Sequence, residues 1–568
     1  MYKYQKYQIN NVEQSMEEIC FPKNKEYRLL PQQAFLSDYL FDNQDINGLL
    51  IYHEIGSGKT CTAISIAEKY IQSIRKKGES SPNDIKIIVI LPASLIGNFM
   101  NELRGLCPEA TSGTNVYVTE EERKQLNKLT PNDKQYKDIM EKIDKRIEKY
   151  YTVYSYHKFL KEFYKGLINF NNSLVIIDEV QNMVSLSGDF YKTLLESVNK
   201  AKINFKLFLL SATPMFDNPT TIGLTFNLLR PKTEFPIGED FEGVFFEKSG
   251  GYFIPKNIEL FKTMSQGLVS YYRGDLPVSY PEMTLKTVGV KMSQFQLDTY
   301  KKAIKKENKE NKKFKASMTF PTNFHLGPRM ISNIAYPNGL SNDEGYESIK
   351  ESFADIGSYS PKFKKIMEKV NETNGPVFVY SSFLTFGGIQ PFVDYLEYLG
   401  YKNFDSVGAG SKRYAIYSGD ESLDKREKIK MMFNKKENEN GSVIKMIVGS
   451  PSTKEGISLL RVRQVHIMEP HWNFSRIKQI IGRAVRFCSH KDLPEDQRKV
   501  DVYMYLCISN DLKRSVDEYI WSLAKKKHKL ISTFEKALKE VAIDCPLFIK
   551  RNSFPTDSYK LKCDNEFI

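Results

Sequence analysis

The fold of this chain follows from one stretch, Leu49-Leu50-Ile51-Tyr52-His53-Glu54-Ile55-Gly56-Ser57-Gly58-Lys59-Thr60-Cys61. An apolar strand enters a glycine-rich turn that ends in Gly58-Lys59-Thr60, and a helix is expected after it. In such a turn, backbone N–H groups converge on phosphate oxygens, and the positive end of the helix dipole lies behind them. His53 stands where the full pattern of this loop has its first glycine. The expected nucleotide-binding residues are Glu54, Ile55, Gly56, Ser57, Gly58, Lys59, Thr60 and Cys61.

Two of these residues have particular expected roles. Lys59 would bind the β- and γ-phosphates, and the Thr60 hydroxyl would be a Mg²⁺ ligand.

A second apolar strand, Ser173-Leu174-Val175-Ile176-Ile177, ends directly in two carboxylates, Asp178 and Glu179. Asp178 is expected to hold Mg²⁺ through water, and Glu179 is expected to orient the attacking water and take its proton. Adjacent acids after a strand often only cap a helix, so the prediction depends on their pairing with Lys59. The two motifs together indicate a core that hydrolyses nucleotides.

A third motif, Gln479-Ile480-Ile481-Gly482-Arg483-Ala484-Val485-Arg486, lies roughly 300 residues further along and predicts a second domain. On one continuous helix, Gln479, Arg483 and Arg486 would share a face. Two guanidiniums that point together at a phosphate form an arginine-finger arrangement. The alternative is a solvated basic helix face.

These motifs, with others in the same order, resemble those of the superfamily-2 helicase-type ATPases. Leu30-Pro31-Gln32-Gln33 resembles the Q-motif, in which Gln33 would read adenine. The remaining matches are Leu91–Ile96 and Tyr154–His157 for the strand-tracking motifs, Leu210–Pro214 for motif III, Val379–Phe383 for motif IV and Ser450–Leu459 for motif V.

The resemblance implies an α/β fold with two RecA-like parallel-sheet lobes, inserted helical or irregular segments and a C-terminal helical extension. It implies ATP and Mg²⁺ as cofactors, held where the lobes meet, so that Arg483 and Arg486 reach the γ-phosphate only on closure. Gly456 joins the expected nucleotide contacts. Ser94, Tyr156 and Thr453 are the expected nucleic-acid contacts, chiefly to phosphate.

Several stretches are more similar to the transcription ATPases of large cytoplasmic DNA viruses, the group of poxvirus nucleoside triphosphatase I and the early transcription factor small subunit. They are His53–Thr60, Phe226–Pro231, Val269–Gly274, Gly482–His490 and Val516–Tyr519. Chromatin remodellers usually have histidine where Gln181 stands. Because glutamine also donates and accepts hydrogen bonds, we expect this substitution to be tolerated rather than inactivating, and the coupling between motifs II and III stays open at this point.

Composition agrees with this interpretation. The 568 residues suit two or three domains, and a formal charge of +13 favours a polyanionic partner. The seven cysteines show no Cys-x-x-Cys pair, so zinc is not expected and reduced thiols are. The sequence shows no leader and no membrane span, which favours the cytoplasm, or a viral factory or virion if the protein is viral.

Apolar runs predict the parallel strands of the two lobes. In the first lobe the predicted strands include Leu49–Tyr52, Leu174–Ile177 and Leu207–Leu210, and in the second lobe they are Val377–Tyr380, Lys445–Val448 and Val465–Met468.

Composition shifts predict five segments. They are an N-terminal extension (1–29), an ATP-binding lobe (30–231), a connector with a basic insertion (232–359), a C-terminal lobe (360–510) and a helical extension (511–568). Residues 109–149 are expected to form a helical or mobile surface insertion. The basic run Lys301–Lys315 suits a nucleic-acid channel and an exposed helix or loop equally well.

The helical extension begins with a predicted capping box, Ser515-x-x-Glu518. It carries an apolar stripe, expected to cover the second lobe, and lysines that are candidate contacts for DNA or polymerase. The stripe is Ile520, Leu523, Leu530, Phe534, Leu538 and Val541, and the lysines lie within Lys525–Lys529.

Three functions remain open from the sequence. The first is a DNA-dependent ATPase that translocates on duplex DNA, serving a viral RNA polymerase or transcription factor without separating strands. The second is a strand-separating DNA or RNA helicase, although no aromatic β-hairpin wedge is recognisable. The third is a non-hydrolysing subunit of a transcription or packaging assembly, which the intact set of Lys59, Asp178, Glu179, Arg483 and Arg486 disfavours.

Overall fold

The computed structural model describes residues 2–10, 14–21, 28–77, 86–130, 133–249, 252–274, 276–310, 324–451, 457–554, 557 and 560–564. The chain divides into two compact units. Unit 1 comprises Met1–Gln14, Pro22–Leu276 and Leu530–Ile568, and unit 2 comprises Ser15–Phe21 and Pro277–Lys529. The five-segment division predicted from composition stays a prediction.

The strands, in chain order, are β1 (Gly48–His53), β2 (Lys86–Leu91), β3 (Tyr151–Ser155), β4 (Ser173–Ile177), β5 (Lys206–Ser211), β6 (Phe246–Ser249), β7 (Tyr252–Pro255), β8 (Val269–Tyr272), β9 (Glu282–Lys291), β10 (Val377–Tyr380), β11 (Lys402–Asn403), β12 (Arg413–Tyr417), β13 (Met446–Gly449), β14 (Gln464–Ile467) and β15 (Lys499–Ile508).

The helices, in chain order, are α1 (Met16–Cys20), α2 (Pro31–Asp42), α3 (Lys59–Lys77), α4 (Ile96–Arg104), α5 (Cys107–Ser112), α6 (Glu120–Leu126), α7 (Lys134–Glu148), α8 (Tyr156–Tyr164), α9 (Asp189–Lys200), α10 (Thr221–Leu228), α11 (Gly238–Phe245), α12 (Ile258–Ser265), α13 (Gln294–Glu310), α14 (Leu326–Asn333), α15 (Asp343–Ile349), α16 (Ile356–Tyr359), α17 (Pro361–Val370), α18 (Ile389–Tyr398), α19 (Phe404–Val407), α20 (Leu423–Phe433), α21 (Phe474–Ile481), α22 (Val516–Glu540) and α23 (Cys545–Asn552).

Unit 1 is built on a parallel sheet. Among the described residues it has six strands in the order β3-β2-β4-β5-β1-β8. The central strands are almost continuously apolar and buried, as expected when helices cover both faces. The strands predicted at Leu49–Tyr52, Leu174–Ile177 and Leu207–Leu210 are confirmed, each extended by one or two residues. Because all strands are parallel, the carboxyl ends of β1, β4 and β5 meet at one edge, where the predicted motifs follow them.

Unit 2 is built on a second parallel sheet. In the part of the chain that the structure describes, it has seven strands in the order β11-β12-β13-β10-β14-β15-β9. The strand predicted at Val377–Tyr380 is β10, and those predicted at Lys445–Val448 and Val465–Met468 are each displaced by one residue. The chain therefore has an α/β fold with two RecA-like parallel-sheet lobes, as predicted.

The insertion at 109–149 is not only a surface elaboration. Helix α7 buries Ile139, Ile143 and Ile147 in the same core cluster as strand β2. Their spacing of four residues places them on one helix face. The expectation of a surface segment is wrong for this face, because three isoleucines in a lysine- and glutamate-rich run are enough to form a buried stripe.

The C-terminal helix α22 also differs from expectation. Its predicted capping box is confirmed, since Ser515 N donates to Glu518 Oε2 at 2.8 Å and Glu518 N donates to Ser515 Oγ at 3.1 Å. The boundary of the units falls inside this helix, between Lys529 and Leu530. In unit 1, Phe534 packs against four rings of the predicted connector, namely Phe241, Phe245, Phe246 and Phe261. The apolar stripe therefore does not serve the second lobe alone.

The basic run is described only in part. Residues 301–310 continue helix α13, and 311–315 lie outside the described residues.

The cysteines are paired rather than reduced. The structure joins Cys20 to Cys488, Cys61 to Cys107 and Cys545 to Cys563, and leaves Cys507 as a buried thiol. The pairs are 468, 46 and 18 residues apart in sequence, so their proximity follows from the fold and not from any local spacing. The expectation of reduced thiols is wrong for these six residues.

Among the described residues, no helix combines the length and the apolar character needed to span a membrane.

Candidate nucleotide site

The glycine-rich loop between β1 and α3 has the backbone shape that its sequence predicts. Gly56 and Gly58 have φ angles of 86° and 77°, the left-handed region that glycine adopts without strain. A Cβ added at Gly58 would lie 2.6 Å from Gln33 Nε2. Glycine is therefore required at position 58 both for its backbone angle and for the close approach of a neighbouring side chain.

Two glutamines of the predicted Q-motif hold this loop. Gln33 Nε2 donates to Gly58 O at 3.1 Å, while Gln33 Oε1 accepts from Leu30 N at 2.8 Å. Gln32 Nε2 donates to Ser57 O at 3.0 Å. Recognition of adenine by Gln33 stays a prediction. The structure shows a further role for Gln33, which is to hold the loop through Gly58 O. The sequence interpretation missed Gln32, although it is adjacent to Gln33 and buried.

Lys59, the first residue of α3, turns back over the loop. Its Nζ donates to His53 O at 3.0 Å and to Glu54 O at 3.4 Å. Thr60 follows in the first turn and is half-buried. Cys61 is bonded to Cys107, so only its backbone N–H can serve a ligand.

One feature of the loop fits a phosphate group. The Ser57 hydroxyl is buried and has no hydrogen-bond partner among the described residues. A buried polar atom without a partner is rare and points to a ligand or water.

The acid pair lies at the end of β4. Tyr156 OH donates to the carbonyls of Asp178 at 2.6 Å and of Glu179 at 3.0 Å, and Glu179 N donates to Asp178 Oδ1 at 2.9 Å. Glu179 has φ 51° and ψ 46°, a left-handed conformation that costs a non-glycine residue about 1–2 kcal/mol. The hydroxyl of Tyr156, expected to contact nucleic acid, therefore holds the backbone of the acids.

The electrostatics of Asp178 reflect its enclosure. Burial raises the pKa of the Asp178 carboxyl to about 7, and the charge of Glu179 adds to this rise. The Lys59 ammonium and the hydrogen bond from Glu179 N act in the opposite direction. Although the residue keeps some exposed surface, its carboxyl group is surrounded by protein atoms. The loop lysine and the acid pair are therefore close enough to interact.

Gln181 joins the acid pair to the next strand. Its Nε2 donates to Glu179 Oε2 at 2.5 Å, and its Oε1 accepts from Ser211 Oγ at 2.6 Å. Ser211 Oγ in turn accepts from Thr213 N at 3.0 Å. Gln181 therefore joins motif II to motif III by hydrogen bonds, and its tolerance as a replacement for histidine stays a prediction.

The arginine motif in unit 2 has a different local structure from the one predicted. Helix α21 ends at Ile481, so Gln479 is helical, whereas Arg483 and Arg486 lie in the turns that follow. Helix α21 ends before Gly482, and the Arg483 carbonyl accepts from Leu459 N at 2.9 Å instead of continuing the helix. The prediction of one shared helix face is wrong.

Arg486 is tied to the end of motif V that the structure describes. Its Nη1 donates to Ile457 O at 3.2 Å and to Ser458 Oγ. Burial lowers the pKa of the Arg486 guanidinium. Gly456 and Thr453 lie outside the described residues. Ser94 is exposed, just after the carboxyl end of β2.

Residues 7–333 match the model of the SNF2-related domain, and residues 361–488 match that of the helicase conserved C-terminal domain. The chain belongs to the superfamily-2 helicase-type ATPases. Use and hydrolysis of ATP are properties of this family.

This helicase-type ATPase has viral relatives. It is 45% identical over 570 residues to a protein of Acanthamoeba polyphaga mimivirus named as a putative ATP-dependent RNA helicase, covering 99% of this chain and 96% of the relative. It is 26% identical over 601 residues to the termination factor NPH-I homolog of African swine fever virus, covering 92% and 80%. The Hef helicase domain of Pyrococcus furiosus is similar with a TM-score of 0.45 and 15% identity, covering 86% of this chain and 98% of that one.

Proposed function

We propose that this chain is a nucleic-acid-dependent ATPase that translocates on duplex DNA during transcription in a large cytoplasmic DNA virus or a related element. The observation that carries the proposal is the chain of hydrogen bonds from Glu179 through Gln181 to Ser211 and Thr213. Such a connection transmits a change at the hydrolytic acid to the next strand, which a motor requires and a passive binding module does not.

The roles proposed for unit 1 follow from its contacts. Lys59 and the loop N–H groups bind the phosphates, the Ser57 hydroxyl finds its partner there, and Gln33 contacts the base. Thr60 and Asp178 hold Mg²⁺, which neutralises phosphate charge when bound. Glu179 takes the proton of the attacking water. The hydrogen bond that Glu179 Oε2 accepts from Gln181 keeps the carboxylate in place.

Unit 2 is proposed to supply positive charge during hydrolysis. Arg483 and Arg486 act on the phosphates, supported by Gln479, with Gly456 as a further nucleotide contact. Contacts to nucleic acid are assigned to Ser94, Tyr156 and Thr453 and are directed mainly at phosphate.

Charge and relatives support a transcriptional role on DNA. The formal charge of +13 suits a polyanion, and the name of the African swine fever virus relatives includes the words termination factor. A viral RNA polymerase or transcription factor subunit is the proposed protein partner, in the infected cytoplasm or the virion.

The test is ATP hydrolysis measured without nucleic acid and with single- and double-stranded DNA and RNA. We expect duplex DNA to raise the rate at least about tenfold. Lys59→Ala and Glu179→Gln should each lower the stimulated rate by about 100-fold or more, whereas Glu162→Gln, at an exposed ion pair with Lys165, should not change it. Absence of hydrolysis with every nucleic acid would contradict the proposal.

A strand-separating helicase is the second candidate, favoured by the name of the mimivirus relative, which includes the words RNA helicase. A strand-displacement assay on DNA and RNA duplexes distinguishes the two. Displacement that requires ATP would support the helicase, and stimulation by duplex without displacement would support the translocase. Nucleic-acid binding without any hydrolysis would instead indicate a non-hydrolysing subunit.

A further inference from the structure

His53 is the residue at which the loop departs from the usual pattern, and its side chain is fully buried at the end of β1. Its Nε2 lies 2.9 Å from Ser270 Oγ on the neighbouring strand β8. A buried imidazole needs at least one hydrogen-bond partner, and Ser270 provides it. His53 is thus anchored to β8 by its side chain, and its backbone pairs with Tyr272 of the same strand.

Ser270 is held by a residue of the C-terminal segment, the part of unit 1 that begins at Leu530. Its hydroxyl donates to Asp544 Oδ2 at 2.6 Å, and Asp544 Oδ1 accepts from Tyr271 N at 2.8 Å. A serine hydroxyl has a single hydrogen. With that hydrogen directed to the Asp544 carboxylate, Ser270 Oγ accepts from His53 Nε2–H. The three side chains therefore form one buried series of hydrogen bonds. The series ends at the glycine-rich loop between β1 and α3, which is called the phosphate loop below because of its proposed role.

The series ends beside Lys59. The carbonyl of His53 is the closer of the two that accept from Lys59 Nζ, and the carbonyl of Glu54 is the other. His53 therefore contacts Ser270 through its ring and Lys59 through its carbonyl. Ser270 and Asp544 restrain the residue whose carbonyl accepts from the Lys59 ammonium.

Glu54 is fixed from the same side. Tyr271 OH donates to Glu54 Oε1 at 2.7 Å, and Lys539 Nζ lies 3.2 Å from the same oxygen. Lys539 is 485 residues away in sequence and also lies over the Tyr271 ring. Both residues whose carbonyls hold Lys59 are therefore supported by β8 and by the C-terminal segment.

The C-terminal segment is attached to β8 along its length. Ile543 N donates to Val269 O at 2.9 Å, and Asn552 Nδ2 donates to Tyr271 O at 3.1 Å. Arg273 N donates to Asn552 Oδ1 at 2.9 Å. These bonds place Asp544 in a defined position, fully buried beside Ser270.

We propose that Ser270 and Asp544 are positioning residues of the nucleotide site, which hold His53 and thereby place Lys59 for the phosphates. The proposal rests on the proposed function of this loop as the ATP site. It assigns the C-terminal segment a role in binding ATP, since this segment completes the support of the loop.

The test compares buried serines and the acid in the full chain. Affinity for a slowly hydrolysed ATP analogue with Mg²⁺ is measured by calorimetry for wild type, Ser270→Ala, Asp544→Asn and the double variant. We expect each single variant to bind about fivefold more weakly, as for loss of one hydrogen bond. The double variant should lose no more than the larger single loss, because both residues act through His53.

Ser265→Ala is the matched control. Ser265 is equally buried in unit 1, and its hydroxyl donates to Phe261 O at 2.7 Å within its own helix. We expect it to lower thermal stability about as much as Ser270→Ala while binding the analogue as wild type does. A general loss of packing would weaken binding in both variants.

The outcomes separate this inference from the proposed function. Wild-type affinity in Ser270→Ala and Asp544→Asn, with binding lost in Lys59→Ala, would overturn the inference alone. Additive losses in the double variant, or an equal loss in Ser265→Ala, would also overturn it. If wild type and Lys59→Ala both fail to bind the analogue, the proposed ATP site itself is wrong.

Discussion

At the scale of single residues, the phosphate loop is shaped by its glycines and by the side chains that surround them. Gly58 accommodates Gln33, and Gln32 supports Ser57. The acid pair is similarly defined, with Glu179 held between Gln181 and a left-handed backbone. These contacts leave little freedom for the groups that would bind phosphate and activate water.

Gly58→Ala is expected to weaken ATP binding by about tenfold or more, because the new Cβ would both strain a positive φ and displace Gln33. Calorimetry with the ATP analogue measures this. Gly97→Ala is the control, since a Cβ there meets no atom within 4 Å. Near-wild-type binding by Gly58→Ala would show that the loop can rearrange.

Gln181→Ala is expected to lower the stimulated kcat about tenfold while leaving ATP affinity within about twofold, because it removes the hydrogen bonds to Glu179 and to Ser211 and none from the loop. Steady-state kinetics and calorimetry measure the two effects. Gln125→Ala, at an exposed position of α6, should match wild type. An unchanged kcat would mean that the bridge has no part in hydrolysis.

At the scale of secondary structure elements, continuous apolar runs predicted the strands correctly. Segments that mix charged and apolar residues gave less accurate predictions for the helices. Strands β1, β4, β5 and β10 are continuous apolar runs, which parallel sheets bury on both faces. Helix α7 shows the contrast, since its overall composition is charged but one face belongs to the core. Helix α21 also differs from prediction, since it ends at Ile481, whereas a shared Gln479–Arg486 face requires a helix that continues to Arg486.

Ile143→Ala in α7 is expected to reduce the free energy of unfolding by about 2–4 kcal/mol, because it removes a fully buried side chain. Lys142→Ala, its exposed neighbour, should change it by less than about 0.5 kcal/mol. Chemical denaturation followed by circular dichroism measures both. Equal small effects would restore the view of this segment as a surface insertion.

At the scale of the whole molecule, distant parts of the chain complete each unit. The segment 530–568 belongs to unit 1 and contributes Phe534 and Asp544 to it, while 15–21 belongs to unit 2 and is joined there by Cys20–Cys488. These two segments come from opposite ends of the chain. Each unit is therefore discontinuous in sequence.

The disulfides give a prediction at this scale. Alkylation of protein that is denatured without reductant should label Cys507 alone of the seven cysteines, and after reduction it should label all seven. Mass spectrometry of the labelled peptides identifies the sites, and Cys507→Ser should lose the single label. Labelling of all seven without reductant would show that the thiols are reduced, as the sequence suggested.

Much of the fold and part of the candidate site could be predicted because the signals are local. The loop from Gly56 to Thr60 and the pair Asp178 and Glu179 are short runs next to apolar strands. The prediction that Gln479, Arg483 and Arg486 share one helix face was wrong, because residue periodicity does not show where a helix ends. Ser270 and Asp544 gave no signal, since a single serine and a single aspartate have no characteristic pattern.

The sequence alone determined the phosphate loop, the acid pair and the parallel strands that bring them to one edge, because these depend on residues adjacent in the chain. Only the tertiary structure decided the partners of these groups: Gln32 and Gln33 under the loop, Ser211 beyond Gln181, and Asp544 behind His53. Such contacts join residues separated by tens to hundreds of positions. Their geometry arises from packing, which no local pattern specifies.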